Sequence, residues 1–307
     1  MPKVSVVGAG NVGATVANEI ARRCIAEVMM VDVIEGFSLG KALDMSQAAP
    51  ILGYSVFANG ADSIDRVEGS DVVVVTAGIR RKPGMDRREL SNTNAKIIAD
   101  ISRIIKRTAP NAVVILVTNP LDAMCYVAMK ETGFPRERVI GMAGVLDSAR
   151  MAAFVAMELG IGPGDVRAMV LGGHGDTMVP LPRFTTVNGI PVTELLTPQR
   201  IAAIVQRTRD GGAEIVNLLK TASAFYAPGA GAAQMVEAVV TGRSRLLPAS
   251  VWAQGEYGIR DAFVGLPIIV GKKGVEKVVE LKLTADELAQ LNKSADAVKS
   301  IMAELSV

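Results

Sequence analysis

The chain has few of the residues that form disulfide cross-links in small secreted domains or bind metal ions in metal-dependent ones. Among its 307 residues it contains two cysteines and one histidine. Cys24 and Cys125 cannot form a disulfide framework and lack the spacing of a zinc site, so we expect no bound metal. Both lie in apolar stretches typical of buried thiols, which favours a reducing compartment and predicts a cytoplasmic protein.

Long apolar runs and an excess of one charge are missing too. Lysine and arginine total 33 against 31 aspartates and glutamates, a formal charge of +2. A nearly neutral chain is poorly suited to a phosphate backbone, so no nucleic-acid partner is expected. No apolar run approaches the ~20 residues of a membrane helix, and the ~7–15-residue apolar core of a secretory signal is not seen. We therefore expect neither membrane attachment nor secretion.

What the chain does have is apolar material for a large core, since half of its residues are hydrophobic. Its first half alternates short β-branched runs with stretches of helical periodicity, and the runs VVVV and AVVILV are continuously apolar. This pattern predicts a doubly wound parallel sheet over 1–143, covered by helices on both faces. The predicted strands are 3–7, 27–33, 54–58, 71–76, 112–118 and 138–142. The predicted helices are 12–23, 38–49 (ended by Pro50), 90–108 and 122–132.

From residue 144 onward antiparallel signals appear, and they predict a C-terminal α+β domain over 144–307. Asn188-Gly189 between β-prone residues is typical of a tight hairpin. Thr197-Pro198 is typical of a helix start, and Thr284 with Glu287 has the spacing of a capping box. The predicted elements are a hairpin within 184–192, a helix from 198 to about 220, strands at 251–257 and 263–270, and a terminal amphipathic helix.

Residues 8–13 read GAGNVG, a G-x-G-x-x-G pattern between a predicted strand and a predicted helix. Gly8 permits a tight turn, Gly10 lets the backbone approach a pyrophosphate, and Gly13 lets the helix pack closely on the strand. Ligands of open α/β sheets bind at the carboxyl ends of the strands, where further candidates lie. The predicted cofactor-binding residues from these patterns are Gly8, Gly10, Asn11, Val12, Gly13, Asp32, Thr76, Gly78, Val117 and Asn119.

Asp32 distinguishes between two dinucleotides. It ends the second predicted strand, about 20 residues beyond Gly13, where a carboxylate accepts hydrogen bonds from the adenosine ribose. The same carboxylate would repel a 2′-phosphate, so NAD is favoured over NADP. A tight turn followed by a solvent-facing aspartate is the structural alternative.

His174 is the candidate acid/base, because imidazole titrates near neutral pH and three glycines surround it in LGGHGDTMVP. A lone histidine without a role is the alternative. Asp147 and Arg150 share one face of a predicted helix, where an ordinary ion pair would look the same. The basic loop around Pro83-Gly84 is either a solvated loop or a lid that brings guanidinium groups onto an anionic substrate.

Together these residues resemble the lactate/malate dehydrogenase family, most closely its lactate-dehydrogenase-like malate dehydrogenases. The motifs occur in the family's order, and the resemblance covers essentially the whole chain. It implies a Rossmann N-terminal domain, a C-terminal catalytic domain and a homodimer or homotetramer. The matching segments are GAGNVG at 8–13, VD at 31–32, TAG at 76–78, RKPGMDR at 81–87, VTNP at 117–120, GVLDSAR at 144–150 and GGHGDTMVP at 172–180.

The resemblance implies reversible NAD-dependent oxidation of (S)-malate to oxaloacetate. His174 would exchange the proton of the C2 hydroxyl while Asp147 holds the imidazole, and Arg150 would bind the C1 carboxylate. The remaining implied contacts are Arg87 on the C2 oxygen, Asn119 on the substrate beside the nicotinamide, and Asn94 as a further, cofactor-binding residue of the site.

Substrate choice is implied to rest on Arg81. The family typically has Gln at this lid position for lactate and Arg for malate, because a buried second carboxylate needs a cation. Arg80 is adjacent, but counting back from Pro83-Gly84 favours Arg81. The alternatives are a lactate dehydrogenase, a non-catalytic dinucleotide sensor and another Rossmann enzyme such as a sugar epimerase, whose Tyr-x-x-x-Lys pair is not matched by Tyr126 and Lys130. The apolar segment 39–45 is either a subunit interface or internal core.

Overall fold

A computed structural model describes residues 1–80 and 86–306 of the chain. Its strands are β1 (Lys3–Val7), β2 (Glu27–Val31), β3 (Ala58–Ala61), β4 (Val72–Val75), β5 (Val113–Leu116), β6 (Val139–Gly141), β7 (Val166–Arg167), β8 (Val170–Leu171), β9 (Val179–Pro180), β10 (Thr186–Val187), β11 (Ile190–Pro191), β12 (Arg245–Gln254), β13 (Arg260–Gly271) and β14 (Gly274–Val278). Its α-helices are α1 (Asn11–Arg22), α2 (Phe37–Leu52), α3 (Arg87–Thr108), α4 (Leu121–Thr132), α5 (Gly144–Leu159), α6 (Val192–Leu195), α7 (Pro198–Leu219), α8 (Tyr226–Thr241) and α9 (Ala285–Ala303).

The central sheet has the order β14-β13-β12-β6-β5-β4-β1-β2-β3. Strands β1 to β6 pair in parallel, and β12 to β14 add an antiparallel extension beside β6 through Ser250 and Gly141. Two small antiparallel sheets, β11-β10-β7 and β8-β9, lie in the second half. The predicted fold class, a doubly wound parallel sheet followed by a half with antiparallel strands, is confirmed.

Side chains of the central strands alternate between two cores. In β4, Val72 and Val74 belong to the core on one face of the sheet, and Val73 and Val75 belong to the core on the other. Helices α1 and α8 cover the first face, and α3 and α4 cover the second. A strand buried on both faces needs apolar residues at every position, which explains the unbroken VVVV.

Several local predictions are confirmed by the same mechanisms that motivated them. The hairpin turns at Asn188 (φ 46°) and Gly189 (φ 90°), as a tight two-residue turn requires. Thr197 caps α7 by accepting from the Arg200 amide, and Thr284 and Glu287 form a complete capping box on α9.

Several predicted boundaries were wrong. The strand predicted at 251–257 is β12, which begins at Arg245 and ends at Gln254. The second helix does not end at Pro50, because a proline in the last turn forfeits only one hydrogen bond and Gly53, at φ 75°, ends α2 instead. The third strand is β3, not 54–58. Tyr54 folds back to donate its hydroxyl to the Met45 carbonyl, and the later ANGA segment pairs with β2, where Gly60 passes against the backbone of Ser38.

The second half is joined to the first more closely than the sequence indicated. Helix α8, which was not predicted, packs on α1 so tightly that a Cβ on Gly229 would lie 2.5 Å from Thr15 Cγ2. The domain boundary after residue 143 stays a prediction, and the central sheet runs across it. Within residues 1–80 and 86–306, no helix is both long and apolar enough to cross a bilayer.

Candidate active site

The glycine loop between β1 and α1 is held by contacts that exclude side chains. Gly8 has a φ of 99° and donates its amide to the Val31 carbonyl at 2.7 Å. A Cβ on Gly13 would lie 1.8 Å from the Gly8 carbonyl oxygen, so α1 starts directly on the loop. Thr76, at the end of β4, donates its hydroxyl to the same oxygen at 2.9 Å.

Gly10 faces open space at the start of α1. A Cβ built on it would meet nothing within 4 Å, and the helix has no side-chain cap at this residue. The backbone amides of the first turn, beginning with those of Asn11 and Val12, therefore have no side-chain acceptor at this end of the helix. Open backbone, free amides and the positive end of a helix dipole fit a pyrophosphate group.

One residue of this loop, Ala9, is held through both of its backbone groups by side chains of opposite charge. The Ala9 amide donates to Asp32 Oδ2 at 2.7 Å, and Lys41 Nζ donates to the Ala9 carbonyl at 2.8 Å. Burial lowers the pKa of Lys41, and the nearby Asp32 carboxylate opposes that shift. Asp32 also accepts from the Ile34 amide at 3.1 Å, which fixes it at the carboxyl end of β2.

Hydrogen bonds link the other strand ends into one continuous edge. Thr118 donates its hydroxyl to the Ala77 carbonyl at 2.7 Å, which ties the segment after β5 to the segment after β4. Gly78 passes close beneath them, since its Cβ would lie 2.5 Å from Thr118 Cγ2. Val117 continues the ladder by donating its amide to the Val75 carbonyl.

Asn94 is the buried tie between two of these segments. Its side chain is 1% exposed, accepts from the Ile79 amide at 2.8 Å and donates to the Asn119 carbonyl at 2.7 Å. Asn119 is exposed and precedes a cis peptide bond to Pro120. Because its side-chain amide is already hydrogen-bonded to backbone groups, Asn94 positions the Asn119 loop and does not offer its own polar atoms to a ligand.

His174 lies against Asp147, which is buried in the first turn of α5. Imidazole Nδ1 is 2.9 Å from Asp147 Oδ2, and the Asp147 carboxylate is only 2% exposed. A carboxylate only accepts, so Nδ1 carries the hydrogen and Nε2 is left to exchange a proton. This is the orienting arrangement that keeps a catalytic imidazole in one tautomer.

Charge around His174 decides its protonation. Burial opposes the imidazolium, but the charge and hydrogen bond of Asp147, with a smaller contribution from Asp122, outweigh burial and the repulsion from Arg150. The pKa of His174 is therefore raised above 6.5. A histidine of this kind can hold a proton for donation at neutral pH.

Arg150 completes this buried group. Its Nη1 lies 3.3 Å from Asp147 Oδ1, and its side chain is 12% exposed. Burial lowers the pKa of Arg150 while Asp147 opposes that shift, and a guanidinium stays charged throughout. Among the side chains that the structure describes, Arg150 Nε is the buried nitrogen without a hydrogen-bond partner. Gly211 of α7 leaves room for this side chain, since its Cβ would lie 3.2 Å from Arg150 Cδ.

The backbone of His174 is anchored to a second buried carboxylate. Its amide donates to Asp122 Oδ2 at 2.8 Å, and Ser250 of β12 donates its hydroxyl to Asp122 Oδ1 at 2.5 Å. The preceding amide, that of Gly173, donates to Ser294 Oγ of α9 at 2.8 Å. The histidine loop is thus held by α4, α5, β12 and α9 together.

Arg87 lies at the rim and not beside Arg150. It starts α3, is 83% exposed, and its Nη2 is 3.7 Å from Asp176 Oδ2 on the histidine loop. Arg80 donates to the Thr221 carbonyl at 3.0 Å. Arg81 lies outside the described residues.

The structure thus brings His174 and Arg150 into contact with the same carboxylate, that of Asp147. It places along one edge of the sheet the glycine loop, Asp32, Thr76, Gly78, Val117 and Asn119. Sequence reasoning missed Lys41, Asp122, Ser250 and Ser294. An acidic residue in the apolar run LDAMCYV was the available signal for Asp122. For Lys41, Ser250 and Ser294 the sequence offered none.

Comparisons with known proteins agree with this geometry. Residues 2–141 match the model of the lactate/malate dehydrogenase NAD binding domain, and residues 144–306 match that of the family's alpha/beta C-terminal domain. The chain is 55% identical over 300 residues to a malate dehydrogenase of Thermomicrobium roseum, covering 98% of this chain and 97% of that one.

Solved structures give the same result. A malate dehydrogenase of Salinibacter ruber superimposes with a TM-score of 0.94 at 48% identity, covering 98% of this chain and 97% of that one. A lactate dehydrogenase of Cryptosporidium parvum, complexed with lactic acid and NAD, superimposes with a TM-score of 0.94 at 38% identity, covering 98% and 97%. The chain therefore belongs to the lactate/malate dehydrogenase family, and it is an NAD-dependent 2-hydroxy acid dehydrogenase.

Proposed function

We propose that this protein oxidises (S)-malate to oxaloacetate, reversibly, with NAD. The observation that carries the reaction class is the buried His174–Asp147–Arg150 group, in which a proton-exchanging imidazole lies beside a guanidinium with an unused N–H. The choice of malate rests on the relatives, because proteins 50–55% identical over nearly the whole chain are named malate dehydrogenases.

His174 takes the proton of the C2 hydroxyl through Nε2 in oxidation and returns it in reduction. Asp147 holds Nδ1–H and stabilises the imidazolium that forms. Because Asp147 is buried, it cannot turn away to water, and the imidazole keeps one orientation through the cycle.

Arg150 binds the C1 carboxylate with its guanidinium fork, which satisfies the buried Nε that has no partner in the described structure. Arg87, freed from the weak exposed pair with Asp176, polarises the C2 oxygen and stabilises its developing charge. Asn119 supplies an amide at the strand edge beside them.

The glycine loop and Asp32 fit NAD. Gly10 leaves space for the pyrophosphate, the first turn of α1 supplies amides, and Asp32 retains acceptor capacity for the ribose diol. When bound, NAD supplies the hydride acceptor for C2 of the hydroxy acid. Asn94 supports this edge by fixing the Asn119 backbone.

Arg81 is the residue proposed to select the substrate. A four-carbon substrate carries a second carboxylate, and a closed site accepts it only if a cation meets it. Arg81→Gln should narrow or reverse the preference of oxaloacetate over pyruvate. An unchanged ratio of kcat/KM values would remove Arg81 from substrate selection.

A lactate dehydrogenase is the second candidate, since the structural relatives include one that was solved with lactic acid. NADH consumption measured side by side on oxaloacetate, pyruvate and 2-oxoglutarate decides between the two. We expect oxaloacetate to lead by orders of magnitude in kcat/KM. A lead for pyruvate would replace the malate proposal, and no consumption with any of the three would favour the non-catalytic sensor.

We also propose that the outer face of α2 is covered by a second copy of the chain. Leu39 and Leu43 are 48% and 60% exposed, and Ile51 and Leu52 continue the apolar surface toward the end of the helix. Light scattering should give a dimer or tetramer, and Leu43→Glu should shift it toward the monomer. A monomeric wild type would contradict this. The cytoplasmic location and the absence of a nucleic-acid partner stay predictions.

A further inference from the structure

Beneath the histidine loop lies a buried carboxylate that the proposed mechanism does not use. Asp122 stands in the first turn of α4, is 5% exposed, and has an oxygen for each of two partners. Oδ2 accepts from the His174 amide at 2.8 Å, and Oδ1 accepts from the Ser250 hydroxyl at 2.5 Å. Ser250 itself is fully buried in β12.

Burying a carboxylate to provide an acceptor for one backbone amide costs desolvation free energy. Taking a carboxyl group out of water disfavours its charged form, and burial accordingly raises the pKa of Asp122 while its two hydrogen bonds oppose that shift. The neighbouring Gly173 amide is satisfied by a neutral group, Ser294 Oγ, at the same 2.8 Å. A hydroxyl would therefore suffice for packing the loop.

What Asp122 adds is rigidity and charge directly at the catalytic residue. It acts on the backbone nitrogen of His174, while Asp147 acts on the ring, so the imidazole is fixed at both ends of its side chain. Ser250 fixes the Asp122 carboxylate from a different element of the sheet. A catalytic group performs well only when its supporting residues are locked in this way.

We propose that Asp122, anchored by Ser250, is a positioning residue for His174 that sets both the place of the imidazole and its proton affinity. This inference rests on the proposed acid/base role of His174. Asp122 is buried and its two oxygens accept from the His174 amide and the Ser250 hydroxyl, so its effect is transmitted through the peptide N–H of His174.

The charges that reach His174 come from two helices. Asp147 and Arg150 of α5 and Asp122 of α4 are the groups that act on the imidazole. Cys125 of α4 is a buried thiol that interacts with Ser250, and its pKa is raised by burial and by Asp122. Removing the negative charge of Asp122 should make the imidazolium easier to deprotonate. Reduction of a 2-oxo acid needs the imidazolium, so its alkaline limit should move to lower pH.

The experiment compares Asp122→Ala, Asp122→Asn and Ser250→Ala in the full-length protein. Asp122→Ala removes the acceptor, and we expect kcat to fall about 10- to 100-fold with NADH affinity unchanged. Asp122→Asn keeps an oxygen for the His174 amide, so it should restore most of kcat but lower the pH at which kcat/KM declines. Ser250→Ala should give a smaller loss, because Asp122 keeps its bond to His174.

Thr132→Val is the matched control, since Thr132 is a buried hydrogen-bonding residue at the other end of α4. It should lose stability without a change in kcat or pH profile. If Asp122→Ala does not fold, Asp122→Asn and Ser250→Ala carry the test.

A wild-type kcat and pH profile in the Asp122 variants would overturn the inference, as would an equal loss of kcat in Thr132→Val. A wild type that reduces no 2-oxo acid would instead refute the proposed function.

Discussion

Two regions lie on the same side of one sheet: the nucleotide edge, formed by the glycine loop and Asp32, and the catalytic group, formed by His174, Asp147 and Arg150. They are built from different kinds of atoms. At the glycine loop the surface open to a ligand is backbone, and the side chains of Asp32, Lys41 and Thr76 hold that backbone in place. In the catalytic group the buried Asp147 contacts both His174 and Arg150, and a fourth ionisable side chain, that of Asp122, accepts from the His174 amide. Backbone sites are set by the fold, whereas side-chain sites are set by individual residues. The two should therefore fail differently on mutation.

The largest expected difference between the two regions is that produced by His174→Asn. Loss of the acid/base should lower kcat by about 10²- to 10⁴-fold, while NADH binding is kept because the glycine loop is untouched. Steady-state kinetics and a titration of NADH fluorescence measure the two quantities. Retained turnover would point to another base, and lost NADH binding would mean that the two regions are not separate.

The pH dependence tests the charges within the catalytic group. The pKa of His174 is raised, so the imidazolium persists above the ordinary value and reduction should decline only as pH rises through the raised pKa. Oxidation should rise over the same interval. Asp147→Asn removes the main group that raises the pKa, so it should move the decline to lower pH and reduce kcat by about tenfold or more. An unmoved profile would mean that His174 does not set it.

Gly13→Ala and Gly10→Ala test the nucleotide edge as a matched pair. A Cβ on Gly13 would lie 1.8 Å from the Gly8 carbonyl, whereas one on Gly10 would meet nothing within 4 Å. Gly13→Ala should lower the free energy of unfolding by about 1–3 kcal/mol and impair NADH binding. Gly10→Ala should keep its stability but weaken NADH binding, because its Cβ occupies the phosphate space. Thermal unfolding with and without NADH compares them, and equal stability losses would contradict the packing difference.

The smallest effect should come from the charged pair around Ala9. Asp32→Asn and Lys41→Met each leave the fold intact but remove one of the two charges that hold Ala9, and we expect each to weaken NADH binding by about tenfold, or ~1.4 kcal/mol. Asp32→Asn should also improve the acceptance of NADPH, because the repelling charge is gone. Lys41→Met provides the control, since it loosens the loop without removing that repulsion. Equal NADPH gains in both variants would assign the effect to the loop.

The same contrast explains what could be predicted from the sequence. The glycine loop and Asp32 were found because local spacing determines a βα turn, and β4 was found because burial on both faces leaves an unbroken apolar run. Asp122, Ser250 and Ser294 come together under the histidine loop only after α4, β12 and α9 have packed. The sequence marks Asp122 only as an acid within an apolar run, and it does not mark the two serines. Helix α8 escaped because its small residues, YAPGAGAAQ, are poor in periodicity, and its tight fit against α1 is a tertiary property. Pro50 misled because it removes one backbone donor to the preceding turn, while the helix continues to Leu52 and is closed by the Gly53 amide on the Ala49 carbonyl.

The pairing of β12 with β6 has a consequence for protein engineering. A recombinant fragment that ends between residues 141 and 144 would leave the β6 edge without a neighbouring strand and the α1 surface uncovered. Unpaired strand edges of this kind promote aggregation. Chimeras that graft a new substrate half onto this nucleotide half should therefore transplant β12, β13 and α8 as one block with the surfaces they cover. Crossover points chosen inside surface loops of either half would be better tolerated than one at the predicted domain boundary after residue 143.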